Sequence, residues 1–106
     1  MKIELLHITE CPSWSAALKN LKHSLIDLDL DVPVQVTRIN SQNFDEFVQF
    51  HGSPTILLDG QDIFPVHDFE GALSCRVYET PEGLRGLPTQ QQITQQLTTH
   101  MKRDRA

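Results

Sequence analysis

The stretch from Leu5 to Trp14 limits the fold more than any other. An apolar run, Leu5-Leu6-His7-Ile8, gives way to Thr9-Glu10, and Cys11 then stands directly before Pro12 and an amphipathic segment. Pro12 suits the first turn of a helix, where a missing N–H costs nothing and the fixed φ is already helical. Cys11 is therefore expected at the cap, beside unpaired backbone N–H groups and the positive end of the helix dipole. A thiolate there is favoured over the thiol. The competing reading is a small buried hydrophobe, which is what most free cysteines are.

Upstream, Lys2 to Ile8 mixes alternation with an apolar pair, as in an inner strand with both faces covered. Downstream, Trp14, Ala17, Leu18, Leu21, Leu25 and Leu28 recur at helical spacing, with Lys19, Asn20, Lys22 and His23 between them. Val32 to Ile39 is β-branched and alternating, and Pro33 near its start marks a strand close to the sheet edge. Strand, helix and strand with short connections form a βαβ unit, so the two strands lie parallel with a right-handed crossover. Asn40 to Asn43 is turn chemistry, and a short helix carrying Phe44, Phe47, Val48 and Phe50 is expected to stop at His51-Gly52. Asp59-Gly60 between apolar runs predicts a hairpin that pairs Thr55–Leu58 with Gln61–Phe64. Val66 to Leu87 has no clear period and reads as a long loop. Thr89-Gln90-Gln91-Gln92 matches a capping box and opens a helix with Ile93, Leu97 and Met101 on one stripe.

A chain of 106 residues is expected to make one domain, 1–106, around a single core. Its net charge of −5 argues against nucleic acid, whose binding rests on phosphate neutralisation by Lys and Arg. The basic cluster Lys102, Arg103 and Arg105 reads as a solvated helix end. No apolar run approaches the ~20 residues that span a bilayer, and Ile3-Glu4-Leu5 does not read as a signal peptide. The expected setting is the cytoplasm, with no membrane partner. There a cysteine pair is more often catalytic, redox-sensing or metal-binding than a permanent staple.

The order of elements, Cys11 opening the first helix, Ser53-Pro54-Thr55 before the third strand and the Asp59-Gly60 hairpin together resemble the thioredoxin superfamily over nearly the whole chain. The resemblance implies an α/β thioredoxin-like fold: a four-stranded mixed sheet of order 2-1-3-4 with helices on both faces. It also implies a cis Ser53–Pro54 bond, with Pro54 packed against Cys11; no cofactor is expected. Where that superfamily usually carries Cys-x-x-Cys, this chain reads Cys11-Pro12-Ser13-Trp14, which excludes dithiol exchange within the motif. The other cysteine is Cys75, in Leu73-Ser74-Cys75-Arg76-Val77-Tyr78. In the thioredoxin arrangement the first strand ends, the third begins and the fourth ends at one edge of the sheet. The loop carrying Cys75 thus starts beside Cys11. The alternative is that Leu73 to Tyr78 only covers the sheet end, with Cys75 as buried filler.

A narrower resemblance links the chain to the thioredoxin-like core of organomercurial lyase, which also pairs a cysteine at a first-helix start with one on a distant loop. Small thioredoxin-like proteins with Cys-Pro-x-Trp and Ser-Cys-Arg motifs look like this chain too. The lyase needs an acid near its first cysteine, and this chain has Trp14 at that helical position. The resemblance therefore does not extend to carbon–mercury cleavage.

Three functional classes follow. The first is thiol–disulfide redox chemistry on a thiol or disulfide substrate, with Cys11 as nucleophile and Cys75 as resolving thiol, supported by Pro12, Trp14, Ser53, Pro54 and Arg76. The second is a soft-metal or metalloid binder for Hg(II), As(III) or Cu(I), with Cys11 and Cys75 as ligands. The third is a redox-silent interaction domain. Trp14 reads as core or as an apolar wall over the thiol. Arg76 would favour a Cys75 thiolate if the side chains met, or is otherwise a surface charge. His51 and His67 are candidate bases or metal ligands, or else solvent-facing bystanders. Asp68 and Glu70 read as solvated, and His7, His23 and His100 carry no assigned role.

Overall fold

A computed structural model of the chain describes residues 1–64 and 73–104. Its strands are β1 (Ile3–His7), β2 (Val34–Arg38), β3 (Thr55–Leu58), β4 (Gln61–Asp62), β5 (Tyr78–Thr80) and β6 (Gly83–Arg85). Its helices are α1 (Trp14–Asp27) and α2 (Gln90–Asp104), with a 3-10 helix at Phe44–Glu46. The chain is a mixed α/β structure whose four-stranded sheet runs β2-β1-β3-β4, the order read from the sequence. β1 pairs parallel with β2, placing Leu5 beside Val36. It pairs antiparallel with β3, placing Leu5 opposite Ile56. Every residue of β1 and β3 is buried, as inner strands covered on both faces require. β3 turns into β4 through Asp59 (φ +50°) and Gly60 (φ +87°), the two positive φ values of a type I′ hairpin. The Ser53–Pro54 bond is cis.

The sheet divides the core by strand parity. On one side Ile3, Leu5, Ile56 and Leu58 meet Ala17, Leu21 and Leu25 of α1 and Ile93 and Leu97 of α2. On the other side Leu6, Ile8 and Leu57 pack with Cys11, Ile39 and Phe50. α2 starts at the expected capping box: Thr89 N–H donates to Gln92 Oε1 (2.9 Å), and Gln92 N–H donates to Thr89 Oγ1 (3.1 Å).

Helices were expected on both faces, but both α-helices pack on one. The opposite face is covered by the 39–50 segment, which forms a single 3-10 turn. The asparagines explain this. Asn40 Oδ1 accepts the Gln42 and Asn43 N–H groups, and Asn43 Oδ1 accepts the Asn40 N–H, so side chains take bonds that a longer helix would need. Phe50 is buried, whereas Val48, expected on the same apolar stripe, is 85% exposed. β4 is also shorter than the expected Gln61–Phe64. The Phe64 N–H turns back to Asp62 Oδ1 (2.9 Å) instead of continuing the ladder.

The stretch 66–87 is not one loop. Its described part contains the β5–β6 hairpin, whose two-residue turn Pro81-Glu82 is followed by Gly83 at φ +100°. His67, Asp68 and Glu70 lie outside the described residues. Among the described residues no helix is long and apolar enough to cross a membrane.

The split core makes a direct prediction. Leu21→Ala, in the fully buried α1 contact, is expected to lower unfolding free energy by about 2–5 kcal/mol. Val48→Ser should stay within about 0.5 kcal/mol of wild type. Urea unfolding of the two variants checks both values; equal losses would contradict the packing.

Candidate functional site

Three chain segments converge on Ser53, which is fully buried. Its N–H donates to Ser74 O (2.8 Å), and its carbonyl accepts the Arg76 N–H (2.9 Å). These two bonds make a parallel bridge between Ser53 and Cys75. The Ser53 hydroxyl accepts the Ile8 N–H at 3.0 Å, just past the end of β1. The Cys11 thiol donates to the Ser53 carbonyl at 3.4 Å. One residue therefore ties the end of β1, Cys11 and the Cys75 segment together, directly before the cis bond to Pro54.

Cys75 is bridged through its neighbours' backbone to Ser53, the residue whose carbonyl receives the Cys11 thiol. The Cys11 thiol and the Cys75 segment, expected to converge, both meet Ser53. Their exposures differ: Cys11 is 1% exposed and packed against Leu6, Ile8 and Phe50, while Cys75 is exposed. Exposure removes the reading of Cys75 as buried filler. The side-chain interaction with Cys11 is the largest influence raising Cys75 above the ordinary thiol value, followed by desolvation and the negative charges of Cys11 and Glu10.

The helix-cap expectation for Cys11 needs correction. Pro12 and Ser13 form a turn, Ser13 is the N-cap of α1, and the first helical bond runs from Ala17 N–H to Ser13 O at 3.0 Å. Cys11 precedes that cap by two residues, and Pro12 is exposed rather than inside the first turn. Its sulfur points to Ser53, not along the helix axis. Trp14 is half-buried, packs with the helix-side core and stacks on His7 with ring centroids 4.0 Å apart. It is core, as one reading held. Cys11 belongs to the opposite cluster, so Trp14 is not placed as its wall. His7, given no role from sequence, is the ring on which Trp14 lies.

Arg76 is neither a surface charge nor a partner of the Cys75 sulfur. Successive residues of an extended chain point to opposite sides, so Cys75 and Val77 face outward while Arg76 and Tyr78 turn inward. Arg76 Nη1 donates to Asp62 Oδ2 at 2.7 Å, Nη2 donates to Phe64 O at 3.1 Å, and the guanidinium lies 4.5 Å from the Tyr78 ring centroid. His51 Nδ1 contacts the same Asp62 oxygen at 2.7 Å. The Tyr78 hydroxyl donates to Pro54 O, and burial pushes its pKa well above the ordinary tyrosine value, so it remains a donor. Gly52 permits the close approach: at φ +100°, an added Cβ would lie 3.0 Å from Arg76 Cβ.

Asp62, Tyr78 and Gly52 are site residues that sequence reasoning missed. The alternation Cys75-Arg76-Val77-Tyr78 was legible, but apolar-in logic would have turned Val77 inward; only the distant Asp62 reverses that choice. No three His, Cys, Asp or Glu side chains among the described residues form a metal-holding group. Comparison with protein-family models, curated proteins and solved structures gives no match.

The closeness of Cys75 to Cys11 predicts a pH signature. Cys75 should titrate above the ordinary thiol value in the wild type, and Cys11→Ala should bring it down by removing the largest cause and one of the two negative charges. Rates of Cys75 alkylation against pH measure both midpoints; identical midpoints would contradict the contact. The stability sign follows from Tyr78. Its folded pKa lies above the unfolded value near 10, so its contribution is present below that pH and lost as pH rises further.

Proposed function

We propose that this chain is a thioredoxin-like thiol–disulfide redox protein of the cytoplasm, with Cys11 and Cys75 as its redox pair. The observation that carries this reading is the convergence of both cysteines on Ser53, which bridges to Cys75 and accepts the Cys11 thiol. Cys11 acts as nucleophile and Cys75, whose pKa lies above the ordinary thiol value, as the resolving thiol. The Cys11 thiolate attacks a substrate disulfide, forms a mixed disulfide and expels one substrate thiolate. Cys75 then gives up its proton, and its sulfur attacks the Cys11 sulfur of the mixed disulfide. The second substrate thiolate leaves as the Cys11–Cys75 disulfide forms. One substrate disulfide becomes two thiols while two protein thiols become one disulfide, so two electrons and two protons balance. Because Cys11 is 1% exposed, the segments that meet at Ser53 must part to admit the substrate. The cis bond before Pro54 and the Asp59-Gly60 hairpin support the thioredoxin-like assignment.

One observation favours a second reading. Two cysteines brought to one residue, Ser53, suit linear two-coordinate binding of a soft ion such as Hg(II) or Cu(I), with both thiols deprotonated. As(III), which prefers three thiolates, fits this pair less well.

Intact mass separates these readings. After exposure of the reduced protein to 2-hydroxyethyl disulfide, the wild type should lose two hydrogens, and Cys75→Ser should accumulate a mixed disulfide on Cys11. A wild type that keeps all its hydrogens but retains one Hg(II) under reducing conditions would overturn the redox reading in favour of metal binding. A chain inert to both reagents would leave a redox-silent interaction domain.

A further inference from the structure

The cluster around Asp62 is built from side chains other than the two thiols. We infer that Asp62 and Arg76 are positioning residues: a buried latch that holds Cys75 onto Cys11 and thereby sets how readily the pair closes into a disulfide. The inference rests on the redox reading above and concerns the same site.

Asp62 and Arg76 side chains are 4% and 7% exposed. Their 2.7 Å bond anchors the residue directly after Cys75, and the Arg76 N–H is one of the two bonds of the Ser53 bridge. Asp62 is itself fixed from several directions. Its N–H donates to Gln49 Oε1 (3.2 Å), its Oδ1 accepts the Phe64 N–H, and its Oδ2 also meets His51 Nδ1. Arg76 is held further by the Phe64 carbonyl and the Tyr78 ring. A buried ion pair is weak evidence for stability, because apolar residues of similar volume often replace it at no loss. What this pair does supply is geometry. It converts an exposed strap residue, which would sample many positions on a free tether, into a thiol held at Ser53, the residue that receives the Cys11 thiol. A tethered group has an effective concentration in the millimolar range, and a well-oriented one far exceeds that.

The test uses the full-length chain, with glutathione and its disulfide as the redox probe. Two protein thiols and one glutathione disulfide exchange to one protein disulfide and two glutathione thiols. The double variant Asp62→Asn/Arg76→Met removes both charges, so no buried ion is left unpaired. It should shift this equilibrium toward the dithiol by about tenfold or more, equivalent to ~30 mV per tenfold for two electrons. With the strap loosened, Cys11 should also be alkylated faster in the reduced protein. Arg76→Lys, which keeps the charge without the fork, should fall between wild type and double variant. A double variant with a changed melting temperature but wild-type equilibrium and alkylation rate would make the pair merely structural and overturn the inference. The readouts also separate the two ideas. If the wild type forms no internal disulfide at any glutathione ratio, the redox reading fails. Faster Cys11 alkylation in the variant would then still report the latch, and an unchanged rate would remove it.

Discussion

Ser53 uses all its polar groups, and the site depends on how it does so. The N–H and carbonyl pair with the strap at Ser74 and Arg76, the hydroxyl holds the backbone just past β1, and the carbonyl also receives the Cys11 thiol. A fully buried residue that left any of these groups unpaired would cost roughly 1–3 kcal/mol for each. The strap, the strand end and the cysteine loop are thus held together by one set of hydrogen bonds. The cis bond that follows turns the chain into β3, and the Tyr78 hydroxyl meets the next carbonyl, that of Pro54. Two consecutive residues, Ser53 and Pro54, therefore fix both ends of the segment that bears Cys75.

Around that junction polar and charged groups are buried, but each has a partner; among the described residues no buried side-chain nitrogen or oxygen lacks one. Asp62 is the hub, bridging β4 to the strap through Arg76 and to the turn before Ser53 through His51. A network of this kind adds little net stability over an apolar core, yet it admits few alternative arrangements. It helps a strap with an exposed cysteine lie in one place. Tyr78 supplies the remaining packing, with its ring edge-on to Phe64 at 5.1 Å.

What the sequence made legible was local. The Thr89–Gln92 box, the Asp59-Gly60 turn and the apolar parity of β1 each depend on residues within a few positions, and each element appears where expected. The parallel β1–β2 pair followed from the short crossover through α1, and the sheet order came with the thioredoxin resemblance. What was not legible depends on partners far along the chain. The Phe44, Phe47 and Phe50 spacing suggested a helix, but asparagine side chains two and three residues away took the backbone bonds first. The helix cap was placed two residues early because a Cys-Pro pair reads as a cap; here Pro12 belongs to the turn before it. β5–β6 was hidden in a stretch without periodicity, although Pro81-Glu82-Gly83 carried a turn signal. The convergence of Cys11 and Cys75 was anticipated from sheet topology, whereas the inward turn of Arg76 needed Asp62, 14 residues earlier, to be seen.

The central claim is that the Ser53 bridge holds the Cys75 segment over Cys11 in the reduced protein. Amide hydrogen exchange at Ser53 and Arg76 tests it most directly, because those two N–H groups form the bridge. The account predicts that both exchange about a hundredfold or more slowly than in an unstructured peptide, and open together as one unit. Exchange of the Arg76 amide at the rate of a free loop, with the Leu5 and Ile56 amides still protected, would contradict it.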